Sequence, residues 1–176
     1  MKKMIESVET LKNDKFASVE TRPGVYTWWF RASCVNRLLA PLGTIEKKRI
    51  QRQVIDGEEY CALYFGIAKS CRQRARWHMA QHHSDSSVRS GYLSTLRQTL
   101  SALLGKDMTK AEKAVNDFIG KNCYWQWETM GSRKEAEDRE QHELRTNYYP
   151  LNIQGNKAVP PSIIAKLSDL RQRHKK

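Results

Sequence analysis

The sequence lacks any long apolar run, and no stretch approaches the roughly 18 apolar residues of a membrane-spanning helix. The basic start of the chain is not followed by the apolar segment that a secretory signal requires. Four scattered cysteines include no CxxC pair, which disfavours a zinc ribbon. We therefore expect a cytoplasmic protein with reduced thiols and no membrane partner.

Acidic residues are also scarce. The 176 residues include 19 Asp and Glu against 31 Lys and Arg, which gives a net charge of +12. This excess favours an anionic polymer or surface as the partner, although it does not by itself identify DNA. The 39% of hydrophobic residues is enough for the core of a single domain.

Three segments rich in β-branched and aromatic residues predict strands, at 25–30, 60–68 and 123–130. The first two can pair antiparallel, and the third joins them after a helical excursion. We therefore predict an α/β fold with a small, about three-stranded, mostly antiparallel sheet flanked by helices. Capping residues and apolar spacing predict where the helices begin: at Ser70, Ser94, Thr109, Ser132 and Pro160-Pro161.

The expected organisation has three parts. Residues 1–22 form an N-terminal arm or short helix, and residues 157–176 form a basic C-terminal helix or tail. The central domain spans 23–156 and carries an insertion at 31–59, within which 45–54 fit either a basic helix or a strand. A Ser-rich loop at 84–93 and this insertion are the places where contacts to DNA bases could be added.

Glu140 occupies an unusual position on the helix that begins at Ser132. Ala136, Glu140 and Leu144 are spaced four residues apart and share one face, so Glu140 lies within the inward stripe. A carboxylate there requires an ion pair, hydrogen bonds or a metal. The plainer alternative is a buried glutamate paired with an arginine.

The helix that begins at Ser70 carries Arg74 and His78 one turn apart. Together they could clamp a phosphate and handle a proton, whereas the plainer alternative is a solvated basic face. The nearby His82 and His83 are better explained as a polar helix end than as metal ligands. Aromatic residues of the predicted strands are expected in the core.

Two short motifs combine these features. Gly24-Val25-Tyr26 and Tyr64-Phe65-Gly66 resemble the two motifs that name the GIY-YIG nuclease superfamily. The resemblance covers roughly residues 22–156 and extends to four further positions: Arg74, His78, Glu140 and Asn152.

The chain departs from the family pattern at three points. Tyr64 follows Tyr26 by 38 positions, where the family has a short hairpin connection. Ile67 stands where some members carry a lysine, a function that Lys69 could take over. Glu143 is a rival to Glu140, but the spacing to Asn152 and the inward stripe favour Glu140.

The resemblance implies an endonuclease that hydrolyses DNA phosphodiester bonds with Mg²⁺ (or Mn²⁺). Glu140 would hold the metal, Arg74 would grip the phosphate, and Asn152 would fix the C-terminal segment over the site. Tyr26 or Tyr64 would activate water, helped by His78, Lys69 or the metal.

Double-stranded or branched DNA would lie along a basic surface, bound by a monomer or homodimer. The alternative is a non-cleaving DNA-binding or RNA-binding module of the same fold. The residues expected to contact DNA are Lys69, Arg72, Arg76 and Arg97.

Overall fold

The computed structural model describes residues 3–176, which form one five-stranded sheet with helices on both faces. Every strand pair is antiparallel, and the strand order is β1-β5-β2-β4-β3. The strands are β1 Lys3–Ser7, β2 Gly24–Arg31, β3 Arg52–Ile55, β4 Glu58–Ala68 and β5 Cys123–Thr129.

Eight α-helices surround the sheet in the described part of the chain. They are α1 Val8–Asn13, α2 Ala32–Leu39, α3 Cys71–Ala80, α4 Asp85–Arg89, α5 Thr95–Leu103, α6 Glu112–Asn122, α7 Arg133–Thr146 and α8 Pro161–Arg173. Short 3₁₀ turns occur at Ala40–Leu42, Lys47–Arg49 and Met108–Lys110. Between residues 3 and 176, no helix has the length and apolar character of a membrane span.

Strand β2 is buried on both faces, which explains why residues 25–30 are rich in aromatic side chains. Successive side chains of a strand point to opposite faces, and both faces of this sheet are covered. Trp28 and Phe30 pack into the larger core, whereas Val25 and Trp29 pack into a smaller core beneath α7. The fold is therefore α/β, as predicted, with apolar contacts on both sides of β2.

The predicted strand count was wrong, because the sheet has five strands instead of about three. Residues 3–7, expected in an arm or short helix, form β1 and pair with β5 before α1 begins. Within 45–54, β3 pairs with β4 through a two-residue turn at Asp56-Gly57, where both residues have positive φ. The two additional strands, β1 and β3, lie at the edges of the sheet.

Helical boundaries differ from the predictions in two places. The Ser-rich segment 84–93, expected to be a loop, contains α4. The capping box predicted at Thr109 does not form, because residues 108–110 make a 3₁₀ turn and α6 begins at Glu112 without a side-chain cap. The C-terminal α8 is part of the fold, since Ile163 and Leu167 are buried in the larger core.

The segment between α7 and α8, residues 147–160, is called the strap and lies along the open edge of β4. Strand β3 pairs only with residues 58–61, so the later half of β4 has no strand neighbour on that side. There the Leu151 amide donates to the Leu63 carbonyl at 3.0 Å. Asn152 makes two more bonds to the backbone of Phe65, so the strap brings α7 and α8 against this edge.

Candidate active site

Tyr26 and Tyr64 lie on the neighbouring strands β2 and β4 and share one face of the sheet. Their ring centroids are 6.3 Å apart. Tyr26 is paired in register with Gly66, and a Cβ atom at Gly66 would lie 2.6 Å from the Tyr26 hydroxyl. The glycine of the second motif is therefore required by the close approach of the first tyrosine.

His78 connects Tyr26 to a second polar side chain behind it. Its Nε2 is 2.8 Å from the Tyr26 hydroxyl, and its Nδ1 is 2.7 Å from the Ser94 Oγ. Ser94 Oγ also accepts the backbone N–H of Arg97 at the start of α5. We assign the tautomer from this network: Ser94 donates to Nδ1, and Nε2–H donates to Tyr26.

Burial holds the pKa of His78 well below its usual value, and the charges of Arg74 and Arg97 lower it further. His78 is therefore a neutral imidazole near neutral pH. In the assigned tautomer it is a hydrogen-bond donor to Tyr26, which favours the ionised phenol. Ser94 was predicted only as the start of a helix, and nothing in the sequence spacing pointed to its contact with His78.

Arg97 lies behind this network and has no exposed surface. Its guanidinium donates to His83 Nε2 at 2.8 Å, to the His78 carbonyl at 3.0 Å and to Asn116 Oδ1 at 2.7 Å. Burial lowers the pKa of Arg97 to about 10. The prediction that Arg97 contacts DNA is therefore wrong, because all three contacts lie inside the protein and fix the end of α3.

Arg74 is a cation whose charge acts on three of the predicted reactive side chains. It lies on α3, one turn before His78. Its charge lowers the pKa values of Tyr26, Tyr64 and Glu140, opposing the effect of burial on each of them. Two strands and two helices therefore bring Tyr26, Tyr64, Arg74 and Glu140 together.

Glu140 is half-buried on α7. Burial raises the pKa of its carboxyl group, Arg74 opposes this effect and Glu137 adds to it. Within residues 3–176, no side chain or backbone group forms a hydrogen bond or salt bridge with this carboxylate. It lines a cavity of about 520 Å³ that also contains Tyr64 and Asn152.

Glu143 has the opposite environment, although it lies only three residues further along α7. One of its oxygens accepts from Arg139 at 3.0 Å, and the other accepts from Asn147 at 2.7 Å and from the Tyr149 hydroxyl at 2.9 Å. It is the arginine-paired, buried glutamate that the plainer interpretation assigned to Glu140. These contacts occupy Glu143 fully, which leaves Glu140 as the available carboxylate.

Asn152 contacts backbone and no reactive side chain. Its Oδ1 accepts the Phe65 N–H at 2.9 Å, and its Nδ2 donates to the Phe65 carbonyl at 2.7 Å. The amide thus replaces a missing strand neighbour at the residue between Tyr64 and Gly66. Asn152 positions the second motif, in keeping with the expectation that it fixes the C-terminal segment.

Arg171 is a site residue that the sequence analysis missed. It lies on α8, lines the same cavity as Glu140 and donates to Gln98 Oε1 at 2.7 Å. Burial lowers the pKa of Arg171, and its charge in turn lowers the pKa of Tyr64. Ile163, Leu167 and Arg171 are spaced four residues apart along α8 and so share one face of the helix. This spacing is the signal that could have shown a packed helix with one inward cation.

The remaining predicted DNA contacts divide into two kinds. Lys69 and Arg76 are exposed, and both line a groove beside Arg74. Arg72 instead donates to the carbonyls of Val19 at 2.7 Å and Ala17 at 3.0 Å. Its guanidinium therefore holds the segment before β2 through two of its three nitrogens.

Comparison with protein families gives one match, to the GIY-YIG catalytic domain, over residues 24–173. The match covers most of the chain and includes α8, so it extends beyond residue 156, where the sequence resemblance ended. The protein belongs to the GIY-YIG family, and this membership indicates a nuclease that acts on DNA. No curated protein and no solved structure matches the chain.

Proposed function

We propose that the protein is a Mg²⁺-dependent DNA endonuclease that hydrolyses phosphodiester bonds through a single metal held by Glu140. The observation that supports this proposal is that Tyr26, Tyr64 and the carboxylate of Glu140 all lie within the electrostatic reach of Arg74. Tyr64 and Glu140, which has no hydrogen-bond partner in the described chain, also line one cavity. This set provides a proton acceptor, a phosphate-binding cation and a metal ligand.

The residues present fit a hard divalent cation. The described residues contain no cluster of three or more His, Cys, Asp or Glu side chains, which argues against a closed protein cage. Mg²⁺ binds proteins through one or two carboxylates and completes its shell with water and substrate phosphates, and Mn²⁺ accepts the same ligands. When bound, such a cation would stabilise the oxygen that leaves phosphorus.

A tyrosine would take the proton of the attacking water. Burial raises the pKa of Tyr26 and also that of Tyr64, so neither phenol ionises by itself near neutral pH. The charge of Arg74 lowers the pKa of both phenols. In addition, Tyr26 has the hydrogen bond from His78, and Tyr64 has the charge of Arg171. Tyr26→Phe and Tyr64→Phe, compared in single-turnover cleavage, identify the proton acceptor.

Arg74 would bind the non-bridging oxygens of the phosphate. A guanidinium can donate two parallel hydrogen bonds, and charge builds on these oxygens as water attacks. Its charge already acts on both tyrosines and on Glu140, so a phosphate bound to Arg74 lies beside all three groups. Asn152 would act as a positioning residue through β4.

The exposed cations Lys69 and Arg76 would contact the DNA backbone next to the site. Contacts of this kind release counterions and give affinity without sequence preference. Double-stranded or branched DNA fits this surface.

Incubation of supercoiled plasmid with the protein and Mg²⁺ tests the proposal. We expect nicked and linear products, which EDTA abolishes, and no products with Glu140→Gln. Glu143→Gln is the matched control on the same helix and should retain cleavage. DNA binding without cleavage by the parent protein would contradict the proposal and support a non-cleaving module of the same fold.

A further inference from the structure

A strongly basic groove that includes Arg74 shares no lining residue with the cavity that contains Glu140. It has a volume of about 880 Å³, and none of its lining residues is Asp or Glu. Its cations come from three different parts of the fold, namely α1 and the segment after it, α3 and the segment before it, and α7. They are Lys12, Lys15, Lys69, Arg74, Arg76 and Arg133.

Two aromatic side chains form part of this basic wall. The rings of Trp77 and Tyr92 are 5.2 Å apart between centroids, with an angle of 37° between their planes. Tyr92 is 66% exposed. Val54 is the only other large hydrophobic residue of the described chain that is exposed. An exposed aromatic ring tilted against a second ring, rather than packed in the core, is a surface available to a planar ligand.

The position of Tyr92 is fixed by its backbone. Gln81, at the end of α3, donates its side-chain amide to the Tyr92 carbonyl at 3.0 Å. The same side chain accepts the Ser94 N–H at 2.7 Å. One glutamine thus attaches the backbone of the segment around Tyr92 to the helix that carries Arg74 and Trp77, so the backbone that carries the Tyr92 ring is positioned before any ligand binds.

The two rings are also close to the proposed reaction centre. The Arg74 guanidinium lies 4.8 Å from the centroid of the Trp77 ring. A nucleotide stacked on Trp77 or Tyr92 would therefore place its phosphate within the reach of Arg74.

We propose that Trp77 and Tyr92 form a platform on which unpaired DNA bases stack, while the groove cations bind the adjoining backbone. Bases within a duplex are stacked on one another and hide their faces, so this platform selects DNA with a single-stranded segment beside the cleaved phosphate. Aromatic rings within a basic groove are the common means of binding single strands. This inference deepens the proposed nuclease function by naming the substrate class.

The test measures binding without metal, in EDTA, with the full chain. The probes are a labelled oligodeoxythymidylate of about ten nucleotides, roughly the site size of one small single-strand-binding fold, and a duplex of equal length. Of the five tryptophans, only Trp77 lies outside the buried core. Stacking on the platform should therefore quench the accessible part of the indole fluorescence, and the duplex should quench it less.

Tyr92→Ala should weaken binding of the single strand by about tenfold, the effect of losing one aromatic–base stack. Tyr92→Phe keeps the ring and should bind within about twofold of the parent, in line with sequence-tolerant stacking. Val54→Ala, which removes the other exposed hydrophobic side chain at β3, is the matched control and should bind as the parent does. Circular dichroism confirms that each variant folds.

Equal single-strand affinity of Tyr92→Ala and the parent would overturn the platform, as would the absence of quenching. Cleavage with Mg²⁺ is measured separately. A protein that cleaves duplex plasmid but shows no quenching retains the nuclease function and loses the platform. A protein that shows quenching and the Tyr92 effect but never cleaves retains the platform and loses the nuclease function.

Discussion

Glu140 and Glu143 are one helical turn apart on α7, and replacing each by glutamine should separate catalysis from stability. Glutamine keeps the shape of the side chain and removes its charge. Glu140 has no partner within the described chain, whereas Glu143 accepts hydrogen bonds from three side chains. The two substitutions are chemically identical, so any difference between them comes from the environment.

For Glu143→Gln we expect a loss of stability. The glutamine amide would place a donor against the donors that surround this position. Each hydrogen bond to a charged group contributes about 1.5–3 kcal/mol, and one oxygen remains, so the expected loss is about 2–3 kcal/mol. For a chain of this size the unfolding midpoint falls by about 2–4 °C per kcal/mol, so we expect a decrease of roughly 4–12 °C.

For Glu140→Gln we expect a stability that is unchanged or slightly higher at neutral pH. Burial raises the pKa of the carboxyl group, so the folded state loses stability as pH rises through that pKa. Glutamine removes this penalty, and solvent screening keeps the gain small for a half-exposed group. Below both the folded and unfolded pKa values, parent and variant should have the same midpoint.

Cleavage should show the reverse order. Residues that merely support a metal ligand contribute about 10–100-fold to activity or affinity, so loss of the ligand itself should reduce cleavage by at least ~100-fold. The assays are thermal unfolding at pH 4 and pH 7 and single-turnover cleavage of plasmid at 20 °C. An inactive Glu143→Gln that unfolds like the parent, beside an active Glu140→Gln, would refute the assignment of the metal ligand.

The remaining predictions concern the side chains around this centre. Asn152→Ala should lower the free energy of unfolding by about 2–4 kcal/mol, because it leaves the buried N–H and carbonyl of Phe65 unpaired. Asn152→Asp should restore only the contact with the N–H. Urea titration measures the free energy of unfolding of both variants. His78 stays neutral in the folded protein, because burial lowers its pKa. The parent should therefore lose stability more steeply than His78→Gln as pH falls below about 6.5. Equal slopes of the unfolding midpoint against pH would contradict the buried environment. Arg97→Gln should destabilise the fold without changing the slope of log affinity for DNA against log salt concentration. Lys69→Gln should reduce this slope by about 1. A reduced slope for Arg97→Gln would place its guanidinium on the DNA.

The three central strands were predictable from the sequence because they are aromatic and β-branched over their whole length. Strand β2 is covered on both faces, so apolar and aromatic residues occupy all of its positions from Val25 to Phe30 except Thr27, and the pattern is strong. Strand β1 was missed, and β3 lies where the sequence left a helix and a strand both open, because the two strands are short, lie at the edges and read as KMIES and RQVI. Edge strands have few buried positions, so their sequences are weakly constrained.

The order of the family motifs and the residues that carry them could be read from the sequence, since these follow from identity and spacing. The environment of each charged residue could be read only from the fold. The sequence pattern places Glu140 on the inward stripe of the helix, yet the strap after α7 supplies partners to Glu143 alone. Arg97 reads as a surface cation and is buried, because His78, His83 and Asn116 supply acceptors from three other segments of the chain. Charge and spacing are local properties, whereas desolvation and hydrogen-bond partners are set by distant parts of the chain.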